Sequence, residues 1–236
     1  MEKIGFVLVH GAGLGAWVWD RVKMGLNGPV LAVDLPGRGK PYGTLRETKL
    51  EDYIQSVIAD LRNFPAEKVI LVGHSFSGEI ILRIATLLPE RVAGLVFVAA
   101  IVPPSGKSML SLQPWLQRFI MRLVLKFSTT RPPDSVIRVA ACSDLDEKTC
   151  ADYIARYTAE SPHVFFDPVE WKLPEGMPRT YVKTLQDHSV IPPLQERMLE
   201  RLHPVRTVTL DSGHVPMLSK PKELTAILND ALGQKL

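Results

Sequence analysis

The chain has 236 residues, of which 46% are hydrophobic and 22% are charged, and its formal net charge is +3. This size and composition are ordinary for a globular protein with one α/β domain. The small net charge, without a basic tail, argues against a nucleic-acid partner. No uninterrupted apolar run reaches the ~20 residues that a membrane span needs.

The start of the chain and its two cysteines predict a cytoplasmic protein. A strand is predicted from Ile4, with no charged and apolar leader before it. Cys142 and Cys150 are expected to be free thiols of a reducing compartment, and a disulfide between them is the less favoured alternative. They lack a metal-ligand spacing, so we predict no metal and no cofactor.

Buried strands and amphipathic helices alternate along the first hundred residues. Apolar runs predict strands at residues 4–9, 29–33, 69–72 and 91–100. Helical spacing predicts a helix from Ala16 through Leu26, one from a capping box at Thr48–Glu51 to Leu61, and one over residues 80–88. The alternation is typical of a parallel, doubly wound sheet, which places the chain in the α/β fold class.

Residues 103–178 interrupt this alternation, with several prolines and no convincing strand. We predict that they form a helical cap over the carboxyl edge of a core made of residues 1–102 and 179–236. The clearest cap helix spans residues 114–127. It carries a cationic stripe of Arg118, Arg122 and Lys126 and an apolar face of Trp115, Leu116, Phe119, Ile120, Leu123, Val124 and Phe127.

We expect the apolar face of this helix to pack down towards the sheet and its charges to face water. Trp115 and Phe119 would then line a substrate pocket, together with Leu14 and Met217 from the core. An alternative is that the helix touches a membrane surface. The acidic residues of the cap argue against that alternative, since they offset its basic residues.

A strand that turns sharply into a helix carries the first candidate catalytic residue. Residues 69–72 run into Gly73, and Ser75 follows before the helical pattern begins. A serine in such a turn, with small neighbours, has the geometry of a nucleophile elbow. The usual pattern is Gly-x-Ser-x-Gly, whereas here Ser77 takes the last position and Gly78 follows it.

Two later loops supply a candidate acid and a candidate base. Asp187 follows a strand predicted at residues 179–184, and His214 follows the last strand, at 205–210. Loops after parallel strands share one edge of a sheet, so these groups should meet Ser75 there. His214 would take the serine proton, and Asp187 would orient the imidazole ring and stabilise the imidazolium.

A glycine-rich loop at residues 10–15 completes the predicted site. It lacks the lysine and hydroxyl residue of a P-loop and the glycine spacing of a dinucleotide site. We therefore expect the backbone N–H of Ala12 to bind an oxyanion together with that of Phe76. His10, Asp34 and Asp211 are alternatives for the catalytic groups, but each is better explained by local turn structure.

These residues resemble one branch of the α/β-hydrolase superfamily. The stretches Phe6–Ala12 and Gly15–Trp19, the Gly-His-Ser elbow, Asp187 before Ile191-Pro192, and His214 before Met217–Pro221 are similar to plant methylesterases, hydroxynitrile lyases and their bacterial esterase relatives. The resemblance covers the sheet and is weak across the cap. It implies the α/β-hydrolase fold and a serine hydrolase with a small helical lid and no cofactor.

The resemblance also separates the two activities of this branch. The lyases have threonine where Gly11 stands, glutamate where His74 stands and lysine where Val215 stands, and all three are absent here. We therefore predict a carboxylesterase for small or medium apolar esters, working as a monomer or homodimer. A hydrolase-fold ligand receptor with little turnover and a hydroxynitrile lyase are the alternatives.

Overall fold

The computed structural model describes residues 3–38, 44–127 and 130–233, without the side chains of Lys126 and Phe127. Residue 39 of the turn predicted at 34–39 therefore lies outside the described residues. So do the side chains of Lys126 and Phe127, the last members of the predicted cationic stripe and apolar face of the cap helix. Within the described ranges, none of the helices combines the length and the apolar character of a membrane span.

Within the described residues six strands form one parallel sheet, which confirms the predicted fold class. They are β1 (Ile4–Val9), β2 (Val30–Val33), β3 (Lys68–His74), β4 (Val92–Val98), β5 (Arg179–Thr184) and β6 (Arg206–Leu210). Their order in the sheet is β2-β1-β3-β4-β5-β6. The order reverses between β1 and β3, where the loops that follow these strands diverge and leave a crevice.

Helices cover both faces of the sheet. Those of the core are α1 (Asp20–Lys23), α2 (Leu50–Arg62), α3 (Ser77–Leu87), and three others that we label α8 (Pro192–Leu202), α9 (Pro216–Ser219) and α10 (Pro221–Gly233). Between β4 and β5 lie α4 (Trp115–Phe127), α5 (Asp134–Ala141), α6 (Glu147–Arg156) and α7 (His163–Phe166). We call residues 103–178, which contain these four helices, the cap segment.

Two helix boundaries differ from the sequence-based prediction. The helix predicted through Leu26 ends at Lys23, before Gly25 and Gly28, after a short 3-10 turn at Ala16–Trp19. Helix α2 begins one residue later than the predicted capping box requires. The backbone N–H of Lys49, not that of Thr48, donates to a carboxylate, and the acceptor is Asp52 at 2.8 Å.

The prediction of two free thiols is wrong, because Cys142 and Cys150 form a disulfide. Cys142 ends α5 and Cys150 lies in the first turns of α6, and the short connection between these helices brings their Cα atoms to 5.6 Å. This is an ordinary separation for a disulfide. The cysteines therefore give no support to a reducing compartment.

Candidate active site

Ser75 occupies a strained turn between β3 and α3. Its φ is +56°, in the left-handed region that non-glycine residues rarely adopt. The turn is tied down on both sides, since Ser75 N–H donates to the Val98 carbonyl at 3.1 Å and Ile101 N–H donates to the Ser75 carbonyl at 2.8 Å. These hydrogen bonds hold the strained turn in place, and the turn puts the hydroxyl at the carboxyl edge of the sheet, as in a nucleophile elbow.

The crowding around this turn explains the displaced glycine of the motif. A Cβ atom on Gly73 would lie 2.8 Å from the Ser77 carbonyl oxygen, and one on Gly78 would lie 2.2 Å from that of Ile101. At these two positions of the elbow a side chain does not fit. Ser77 has room for its side chain, and its hydroxyl donates to the His10 carbonyl. Ser77 therefore joins the elbow to the loop after β1.

His214 lies between Ser75 and Asp187 at hydrogen-bonding distances. Its Nε2 is 3.1 Å from Ser75 Oγ, and its Nδ1 is 2.8 Å from Asp187 Oδ2. Nδ1–H donates to the carboxylate in the tautomer that leaves Nε2 free to accept the serine proton. The structure thus brings together three side chains that are up to 139 residues apart in the sequence.

Asp187 is held in place by more than His214. Its Oδ1 accepts hydrogen bonds from the backbone N–H groups of Ser189 and Val190 at 2.7 and 2.8 Å, and Thr184 Oγ1 donates to Oδ2 at 2.9 Å. Burial alone would raise the pKa of the Asp187 carboxyl, but His214 and the donors around it more than offset this and lower the pKa below its ordinary value. The carboxyl therefore stays ionised beside the imidazole.

The two predicted oxyanion donors line the same cavity as Ser75. Among the described residues, the backbone N–H groups of Ala12 and Phe76 have no hydrogen-bond acceptor. Phe76 N–H lies at the start of α3, where the helix dipole favours negative charge. Two uncommitted N–H groups beside a nucleophile are suited to binding an oxyanion.

His10 hydrogen-bonds loop backbone, as predicted, whereas Asp34 and Asp211 contact residues 18 and 25 positions away instead of capping the local turns predicted for them. His10 Nε2 accepts from Leu35 N–H at 3.2 Å, and its Nδ1 pairs with the Gly11 carbonyl. Asp34 accepts from the Ala16 N–H at 2.7 Å, and Asp211 from the Gln186 side chain at 2.7 Å. None of these contacts involves Ser75 or His214.

His74 has a positioning role that the sequence did not reveal. Its Nε2–H donates to the backbone carbonyl of His214 at 2.8 Å, and the two rings lie 4.7 Å apart. Burial, and secondarily the neighbouring His214, lowers the pKa of His74 to about 3, so the ring is neutral. A Cβ atom on Gly11 would lie 2.6 Å from His74 Nδ1, so this histidine requires glycine at position 11.

A cavity of about 310 Å³ opens at Ser75 and His214. Its wall is mostly apolar and includes Leu14, as predicted. The sequence did not identify most of the other lining residues, among them Leu112, Met121, Ile137, Val190 and Leu194. Such an apolar wall with a few convergent polar groups is typical of small-molecule sites.

Three predicted pocket residues do not line this cavity. Trp115 and Phe119 are 73% and 59% exposed, because α4 turns its Met121 face towards the cavity and its larger apolar face outwards. Met217 is fully buried in the core beneath the site, in the cluster that contains Trp19 and Val215. The prediction is therefore wrong for these three residues.

A residue of the cap segment, Glu160, makes hydrogen bonds that stabilise the loop that carries Ala12. Glu160, only 3% exposed, accepts from the Gly13 N–H at 3.1 Å and pairs with Arg38 at 2.5 Å. Tyr53 also donates to its carboxylate, and Arg38 Nε donates to the Leu14 carbonyl at 2.7 Å. This buried cluster was missed, because its members are far apart in sequence and follow no local pattern.

The chain belongs to the α/β-hydrolase family, whose sequence model matches residues 6–227. It is 31% identical to Methylesterase 18 of Arabidopsis thaliana over 258 residues, covering 98% of both chains. It is 29% identical to Methylesterase 17 of the same plant, covering 94% of this chain and 89% of the relative. Three longer chloroplastic relatives from this plant are matched over 55% to 64% of their length.

Solved structures agree on the fold. An extracellular α/β-hydrolase from a Paenibacillus species superposes with a TM-score of 0.85 at 21% identity, covering 97% of this chain and 98% of the other. The resemblance to the branch that contains the plant methylesterases is therefore confirmed.

Proposed function

We propose that the protein is a serine carboxylesterase that acts through an acyl-enzyme. One observation carries the proposal: Ser75, His214 and Asp187 form a hydrogen-bonded chain at the mouth of an apolar cavity. The names of the relatives support an ester as substrate.

In the first half of the reaction, Ser75 Oγ attacks the ester carbonyl while His214 Nε2 takes the hydroxyl proton. The carbonyl oxygen becomes an oxyanion, which the N–H groups of Ala12 and Phe76 stabilise. The C–O bond of the ester then breaks. The alcohol leaves with the proton from His214, and the acyl group stays on Ser75.

In the second half, water attacks the acyl carbonyl and gives its proton to His214. The second tetrahedral intermediate uses the same two N–H groups. Its collapse breaks the bond to Ser75 Oγ, returns the proton to the serine and releases the acid. Asp187 stays ionised throughout and stabilises the imidazolium in both halves.

The cavity limits the substrate class. A volume of about 310 Å³ is at the small end of ligand pockets, and its wall is mostly apolar. These features favour small or medium esters of apolar acids, and the relatives make methyl esters the first to test. The cap segment, residues 103–178, would then act as the lid that shapes this pocket.

A chain-length series of p-nitrophenyl esters tests the proposal. We expect turnover that peaks at short or medium acyl chains and is lost in Ser75→Ala, while a Ser56→Ala control keeps it, since Ser56 lies in α2. Full activity of Ser75→Ala would contradict the mechanism. Cyanide release from mandelonitrile would instead indicate a lyase.

Location and assembly stay predictions. The cytoplasm was predicted partly from free cysteines, and the disulfide removes that support. Fractionation of the producing cells tests the location, and sedimentation velocity distinguishes a monomer from a homodimer.

A further inference from the structure

Helix α4 presents a large apolar face to solvent. Residues three and four positions apart share a helix face, and here they place six large side chains on one side. Each of these is 45% to 73% exposed: Trp115, Leu116, Phe119, Ile120, Leu123 and Val124. Contiguous exposed apolar surface of this kind marks an interaction site.

The opposite side of α4 faces the protein. Met121 lines the cavity above Ser75, and Leu125 is buried. The helix is therefore apolar on two sides, and within the described part of the chain only the smaller side is packed against other residues. The packing of α4 on the core leaves its larger apolar face unexplained.

The charge of α4 indicates what covers that face. Residues 115–127 contain three cationic residues and no acidic one. Arg118 and Arg122 are exposed on one flank of the apolar face. Arg122 also lines, with Arg46 and Leu125, a recess of about 450 Å³ beside the helix. Arg46 thus adds one more arginine beside this flank of the helix.

Five acidic residues of the cap segment make their contacts away from α4. Asp134 pairs with Arg131 at 2.7 Å, and Glu147 with Arg138 at 2.8 Å. Asp146 caps α6 through Thr149 N–H, Asp144 accepts from Gly213 N–H, and Asp152 faces Arg156. The five acidic residues on which the sequence-based argument against a membrane surface rested therefore do not pair with the arginines of α4.

We propose that the exposed face of α4 docks on an anionic membrane surface. Aromatic and aliphatic side chains flanked by arginines are the composition of helices that lie in the membrane interface. A second copy of the chain fits less well. A twofold interface would set this acid-free helix against itself and bring its arginines together.

Vesicle sedimentation at low salt tests the docking. We expect the protein to bind vesicles of phosphatidylcholine mixed with phosphatidylglycerol and to bind pure phosphatidylcholine much more weakly. Arg118→Gln/Arg122→Gln should weaken binding by about 30-fold, since each cation near such a surface contributes about a factor of five. Phe119→Ser/Leu123→Ser should weaken it by about tenfold or more.

Two control variants match these changes elsewhere on the surface. Met24→Ser/Val205→Ser removes two apolar side chains that are 79% and 74% exposed, and Arg62→Gln/Arg197→Gln removes two exposed arginines. Both should bind like the wild type. Circular dichroism confirms that each variant is folded before it is compared.

Several results would overturn the proposal. These are no binding to anionic vesicles at low salt, equal binding to pure phosphatidylcholine, or equal losses in the controls. Sedimentation velocity supplies one more: a wild-type dimer that Phe119→Ser/Leu123→Ser converts to a monomer would assign the face to a second copy. The assay measures binding alone, so its outcome is independent of ester hydrolysis.

Discussion

The Glu160 carboxylate of the cap segment accepts a hydrogen bond from the backbone N–H of Gly13 at 3.1 Å, in the loop that also carries Ala12. The same carboxylate neutralises Arg38, whose side chain is only 6% exposed. The neighbouring Gly13 and Ala12 share this loop, so the position of the proposed oxyanion donor depends on a residue almost 150 positions away in sequence. Through Glu160, the cap segment therefore acts on the site indirectly, in addition to lining its cavity.

We expect Glu160→Gln to lower both stability and kcat. The variant leaves Arg38 buried without its counter-ion, which should reduce the free energy of unfolding by about 3 kcal/mol. Denaturant unfolding measures this loss, and kcat on one ester measures the displaced loop. Glu147→Gln removes an exposed ion pair and should change stability far less. Equal effects of the two variants on stability and kcat would contradict a role of Glu160 in positioning this loop.

Asp187→Asn should reduce kcat by about 10³- to 10⁴-fold with little change in KM. The amide keeps the size of the carboxyl but can no longer hold His214 in the required tautomer or stabilise its charged form. Asp211→Asn is the matched control, because Asp211 contacts Gln186 and not His214. Steady-state kinetics of both variants decide between the two acids, and a larger loss in Asp211→Asn would reverse the assignment.

The elbow should tolerate glycine at position 77 but not a side chain at position 78. Ser77→Gly removes the hydrogen bond to the His10 carbonyl, which should lower the free energy of unfolding by about 1 kcal/mol. Gly78→Ala puts a methyl group 2.2 Å from the Ile101 carbonyl oxygen, which should destabilise the fold by more than about 3 kcal/mol. Thermal unfolding compares the two, and a stable Gly78→Ala would refute the packing argument.

Stability should fall as the pH drops below about 6.5, the ordinary pKa of histidine. Burial lowers the pKa of His10 and of His74 to about 3, so both protonate in the unfolded chain first. Between about pH 6.5 and about pH 3, each histidine therefore lowers the free energy of unfolding by up to about 1.4 kcal/mol per pH unit. The free energy of unfolding, measured by denaturant titration across this range, gives the slope.

Glu79 should oppose this slope. Its carboxyl is fully buried, both oxygens have no hydrogen-bond partner among the described residues, and burial raises its pKa well above the ordinary value. Because the pKa of Glu79 is higher in the folded protein, its contribution to the free energy of unfolding is fully present below the pKa that glutamate has in the unfolded chain. That contribution is lost as the pH rises. Glu79→Gln should therefore be more stable than the wild type near neutral pH and lose stability more steeply on acidification. An unchanged slope would contradict an ionisable Glu79.

Much of the sheet and the central site could be predicted, because their signals are local. The apolar runs of β3 and β5 mark strands buried on both faces, and loops after parallel strands share one edge. That rule alone predicted that Ser75, Asp187 and His214 would lie near one another. The sequence could also explain His10 as a residue that hydrogen-bonds loop backbone, but not Asp34, whose partner Ala16 lies 18 positions away in another loop.

The remaining features depend on contacts that no local pattern encodes. Helix α4 is apolar on two sides, so periodicity could not decide whether Phe119 or Met121 faces the cavity. The pairing of Arg38 with Glu160 spans 122 residues. The disulfide depends on how closely α5 and α6 approach, which the eight-residue spacing of Cys142 and Cys150 permits but does not require.

The central claim is that Ser75 carries the acyl group during turnover. Rapid quenching of the enzyme with a p-nitrophenyl ester, followed by mass spectrometry of its peptides, tests this directly. We predict the mass of one acyl group on the peptide that contains Ser75, formed in a burst and sustained while product accumulates, and absent in His214→Ala. An acylated Ser75 that never turns over would indicate a receptor, and turnover without acylation of Ser75 would contradict the account.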